Sequence, residues 1–158
     1  MKFYYLTEAF YNDYKNCKEI LIKENRPYVI FIVELYNKKF GIPFRTHINK
    51  NNRDCFITNQ EINAGLDFQK AILIKDESYI DYTKQAQISN KDFSAVLFKD
   101  KIIKRKFMKF LNTYVNVYKR YKEDPSLKPL AFIQFSSLQY FADDLLDFKK
   151  HVPLETEK

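Results

Sequence analysis

Two apolar runs rich in β-branched and aromatic residues, Pro27 to Tyr36 (PYVIFIVELY) and Lys38 to Phe44 (KKFGIPF), are separated only by a short polar break at Asn37 and Lys38. No crossover helix fits in that interval, so the two runs must pair as an antiparallel hairpin. Beyond Pro43 the apolar pattern stops at Phe44, and Arg45, Thr46, His47, Asn49, Lys50 and Arg53 follow. That loop gathers three fixed positive charges, a hydroxyl and an imidazole. As a set it suits a phosphodiester.

The rest of the chain continues the pattern. Residues 2–6 read as a first strand, and Thr7 offers a hydroxyl cap to a helix in which Phe10, Tyr11, Tyr14 and Cys17 recur at helical spacing. After the basic loop, Cys55 to Thr58 and Lys70 to Lys75 read as strands, with a further strand over Ser78 to Thr83. Ser89 or Asn90 caps a short helix, and Lys101 to Lys122 forms a long one with Ile103, Phe107, Phe110, Leu111, Tyr114, Tyr118 and Tyr121 on one stripe. Leu130 to Phe135 reads as a last strand, and Ser136 or Ser137 caps a final helix carrying Leu138, Phe141, Leu145 and Phe148. This order predicts an α+β fold whose antiparallel sheet is twisted or barrel-like and surrounded by helices. A single domain over 1–152 and a flexible tail over 153–158 account for the 158 residues.

Composition narrows the function. Two glycines leave no material for a glycine-rich phosphate loop, which argues against P-loop chemistry. A formal charge of +7 points to a polyanionic partner, with nucleic acid first. Cys17 and Cys55 have no close cysteine partner, so a structural zinc site is not expected, and both read as reduced thiols. The start of the sequence shows no leader pattern and no apolar run approaches the ~20 residues of a membrane span, so a cytoplasmic location without membrane contact is expected.

The opening MKFYYLTEAFYNDY, the pair RPYVIFIVELYNKKFGIPFRTHI, the segment GLDFQKAILIKD and the later FSSLQYFADDL occur in an order that resembles the RNA-cleaving toxins of type III toxin–antitoxin systems. These are the ToxN, AbiQ, CptN and TenpN group, and the hairpin with its loop is most similar to the CptN and TenpN branches. The resemblance implies a bent, Kid- and MazF-like sheet and RNA cleavage without a cofactor or metal. It also implies inhibition by a small, repeated, structured RNA antitoxin, an RNA-bridged ring of protomers, and a role in growth arrest or abortive phage infection. In ToxN a Thr-Ser pair after the second strand serves the active site, and Arg45 and Thr46 occupy the matching places. Arg26 matches a lysine entering the first strand. Ile48 falls where the toxin's loop lysine stands, and Lys50 is the nearest substitute.

The chemistry can also be argued from the side chains. RNA supplies its own 2′-OH as nucleophile, so a protein need only move protons, hold the phosphate and stabilise added charge. Histidine is the residue type that exchanges protons near neutral pH, which puts His47 forward. Arg45 offers a planar fork for two phosphate oxygens, or else an ion pair, for instance with Glu34. Thr46 can donate to phosphate, and Lys50 can act as acid or clamp. Arg26, Tyr28, Arg53 and Lys70 are candidate RNA contacts, while Asp67 reads as a turn residue beside Gly65 that could also hold the loop. On the long helix, Lys101, Arg105, Lys109, Asn112, Asn116, Lys119 and Arg120 form a basic face able to track phosphates, expected to share a groove with the loop. A non-catalytic RNA-binding regulator and a protein-interaction module remain as alternatives to the ribonuclease.

Overall fold

A computed structural model describes residues 3–22, 28–128 and 130–146. Seven strands form one antiparallel sheet: β1 (Phe3–Leu6), β2 (Ile30–Leu35), β3 (Lys38–Arg45), β4 (Cys55–Asn59), β5 (Ala64–Asp67), β6 (Ile72–Leu73) and β7 (Ile80–Asp81). Their order is β4-β5-β3-β2-β1-β7, and β6 also pairs with β3. The fold is therefore α+β, as expected. The sheet is not closed, since no pairing joins β4 to β7 among the described residues.

The predicted hairpin forms its centre. In β2 only Glu34 is exposed, and such a continuous apolar run marks a strand covered on both faces. The turn is Tyr36–Asn37 rather than Asn37–Lys38, with φ of 53° and 58°, which lets two residues reverse the chain with the twist of the strands. Tyr36 is held there by donating its hydroxyl to Asn112 Oδ1 at 3.2 Å.

Among the described residues five α-helices dress the sheet: α1 (Glu8–Asp13), α2 (Asn90–Val96), α3 (Asp100–Glu123), α4 (Ala131–Gln134) and α5 (Ala142–Leu146). The predicted stripe of α3 is its buried face, with Ile103, Phe107, Phe110, Leu111 and Tyr114 inside and Tyr118 and Tyr121 half-buried. Phe107 meets Phe40 of β3 edge-on at 5.3 Å. On the opposite face of the hairpin, Phe10 of α1 is fully buried.

Several sequence expectations change. The helix after β1 stops at Asp13, and Thr7 donates its hydroxyl to Ser78 O at 2.9 Å instead of capping. The strand expected over Lys70 to Lys75 shrinks to Ile72–Leu73, because a 3-10 turn at Phe68–Lys70 interrupts the path along β3. Leu130 to Phe135 holds helix α4, not a strand: it packs beside α3 with Ile133 buried. Arg26, Phe148 and the tail lie outside the described residues.

Candidate functional site

The end of β3 is built by a close approach of three strands. Arg45 pairs with Gly65 of β5, which pairs with Ile57 of β4. A Cβ on Gly65 would lie 2.1 Å from the Phe56 carbonyl oxygen, so only glycine fits. Gly65 thus sits inside a strand and not in the tight connection expected of it.

Two residues on, Asp67 ends β5 with its side chain 1% exposed. A buried carboxylate must be paired and hydrogen-bonded, and this one is. Oδ1 accepts from the Gln69 backbone N–H and from Asn52 Nδ2, each at 3.1 Å, and Oδ2 accepts from Arg45 Nη1 at 2.7 Å. Arg45 therefore pairs with Asp67 and not with Glu34. Its side chain stays 30% exposed, and no other hydrogen bond to its fork occurs among the described residues. The remaining N–H groups are available to a phosphate.

The loop beyond Arg45 is stapled rather than loose. The His47 N–H donates to Ile62 O at 3.1 Å and the Ile48 N–H to Asn63 O at 2.9 Å, while Asn63 Nδ2 donates back to Ile48 O. Ile48 is buried and anchors the segment. His47 has φ of 54°, a left-handed conformation in which Thr46 and His47 are both exposed. Asn49 and Asn52 each accept a backbone N–H two residues on, which shapes the turn carrying Lys50 and Arg53, both exposed. His47, Ile48, Lys50, Gln60, Glu61, Ile62 and Asn63 line an open depression of about 520 Å³. His47 and Lys50 therefore share one hollow, while Arg45 and Thr46 stand outside its lining. No hydrogen bond links any two of these four side chains among the described residues.

Other candidates fall elsewhere. Lys70 is 14% exposed, and its ammonium donates to Glu19 Oε2 at 2.7 Å and to Phe135 O at 2.9 Å. That engagement makes it a strut tying the 3-10 turn to Glu19 and to the end of α4. Half-buried Tyr28 lines a separate apolar cavity of about 20 Å³ together with Tyr11, Pro43 and Lys70. Lys101, Arg105 and Lys109 are exposed along α3 and Lys119 is half-exposed, but no α3 residue lines the depression. The expected common groove is therefore absent from that hollow, and Asn112 is occupied by Tyr36.

One α3 residue that reaches β4 beside the strand end is one the sequence pattern passes over. Lys106 Nζ lies 5.6 Å from the Phe56 ring centroid, on the margin of the helix's apolar stripe. Its charge also reaches Cys55, where it lowers the thiol pKa, yet burial and the carboxylates of Asp67 and Asp54 push that pKa up overall. The Cys55 thiol, free and partly buried, is thus held protonated and donates to Asn52 O at 3.4 Å.

Among the described residues no helix is long and apolar enough to cross a membrane. Comparisons with protein families, with curated proteins and with solved structures find no match to this chain.

Proposed function

We propose that this chain is a sequence-selective, metal-independent endoribonuclease that cuts single-stranded RNA, a cytoplasmic toxin of the type III class restrained by a small structured RNA. One observation carries the reading: a guanidinium fixed on a buried carboxylate at a strand end, followed at once by exposed Thr46, His47 and Lys50. In this reading the RNA 2′-oxygen attacks the adjacent phosphorus, the P–O5′ bond breaks, and a 2′,3′-cyclic phosphate and a 5′-OH result. Arg45 offsets the charge gathering on the phosphoryl oxygens, and Thr46 donates to one of them. His47 and Lys50, lining one hollow, divide removal of the 2′ proton and delivery of a proton to the 5′-oxygen.

The same reading takes the open sheet as a strongly bent, barrel-like core of the Kid and MazF kind. It has the antitoxin RNA bridge protomers into a closed ring, with growth arrest or phage abortive infection as the outcome. Incubating the purified protein with labelled single-stranded RNA in EDTA tests it, and cyclic-phosphate ends are the expected product. A second reading, an RNA-binding regulator, draws on the lack of a hydrogen bond joining His47 to Lys50 or Arg45. Binding without cutting in the same assay would select it.

A further inference from the structure

At the corner between α2 and α3, Phe98 is 92% exposed and has φ of 60°. It follows Leu97, the last residue of the α2 cap, and the next N–H, of Lys99, closes the helix end by donating to Val96 O at 2.9 Å. That position, just past a helix end and left-handed, is one glycine fills without strain. Here a large aromatic ring occupies it and is left in water, so neither backbone preference nor burial accounts for the choice.

The ring's sequence neighbours are strongly cationic. Between Lys99 and Lys109 the chain carries six cationic side chains against one carboxylate, Asp100. None of the six forms an ion pair with a described residue. Phe98 lies two residues before the start of α3; within that helix Ile102, 40% exposed, heads a face that Arg105, Lys106 and Lys109 continue at three- and four-residue steps, all exposed. The stripe descends α3 about 10 Å from Ile102 to Lys109. At Lys106 it passes Phe56, which adjoins the strand end where Arg45 is held. An exposed π-face at the head of a cationic track is the arrangement that takes an unpaired base with its phosphates.

We propose that Phe98 is a stacking platform for an unpaired RNA base, with Arg105, Lys106 and Lys109 holding the backbone that leads from it toward Arg45. The inference rests on RNA being the partner, as in the reading above, and not on cleavage.

The test uses a 2′-O-methyl oligonucleotide of about a dozen unpaired uridines, which has no free 2′-OH and so measures binding whether or not the protein cuts. Phe98→Gly weakens its binding, read by fluorescence anisotropy, by about tenfold, while Phe98→Tyr stays within about twofold. Relief of the left-handed strain raises the thermal midpoint of Phe98→Gly by about 2–4 °C, so lost affinity is not lost folding. The slope of log K against log salt is unchanged in Phe98→Gly and falls by about 0.7 in Lys106→Ala. Unchanged affinity in Phe98→Gly overturns the proposal. An equal loss toward a blunt RNA duplex overturns base stacking, and unchanged RNA affinity with loss of self-association assigns the ring to a protein interface instead.

Discussion

Two cation–carboxylate pairs lie at the two ends of the 67–70 interruption between β5 and β6, and they put the same kind of charge to opposite uses. Arg45 meets Asp67 and Lys70 meets Glu19, each at 2.7 Å. Lys70 is the more enclosed and has a second acceptor in Phe135 O, so its charge is turned inward. Arg45 gives one N–H to a carboxylate that already holds two other donors, and the rest of its planar fork has no acceptor among the described residues. A planar fork held through one nitrogen keeps further donors for another acceptor, whereas an ammonium shared between two acceptors is committed within the fold.

The comparison breaks first at Arg45. Arg45→Ala lowers the single-turnover rate of RNA cleavage by about 10²–10³-fold; an unchanged rate removes it from the site. The same change leaves Asp67 buried without its counter-charge and costs about 3 kcal/mol in urea unfolding. Arg45→Ala combined with Asp67→Asn recovers much of that stability but none of the cleavage, and a double variant that regains activity would mean the arginine serves folding alone.

Lys70→Met supplies the opposite half. It strands Glu19 and lowers unfolding stability by about 2 kcal/mol, less than for Asp67 because Glu19 retains 16% exposure. Cleavage per folded molecule and RNA affinity stay at the parent level, and a drop in affinity would return Lys70 to the RNA contacts first expected. The smallest effect belongs to Lys119, half-exposed on α3. Lys119→Ala shifts the salt slope of single-strand binding by about 0.7 if its ammonium neutralises one phosphate, and by nothing if it is only solvated.

What was legible in the sequence was local. The hairpin could be read because an uninterrupted β-branched run allows little else, and α3 because its stripe repeats over many turns. Ser89 and Ser136 cap α2 and the turn before α5, each accepting a backbone N–H as their hydroxyls suggested. Leu130 to Phe135 misled because a short apolar run has no period long enough to separate helix from strand. The site's residue types could also be read, but their partners could not. Asp67 draws on Arg45 and Asn52, 22 and 15 positions away, and Lys70 on Glu19 and Phe135, 51 and 65 away. Phe98 escaped notice because nothing in a string of residues says that a phenylalanine is outside.

Gly65 has a consequence beyond packing. With its Cα facing the Phe56 carbonyl so closely that a methyl group overlaps it, the position admits one amino acid whatever the chemistry nearby demands. In a saturation library sorted only for folded chains, the most intolerant codon near the strand end would thus encode the residue with no functional group. A scan that ranked sites by intolerance would then nominate a hydrogen atom ahead of the guanidinium it helps to place.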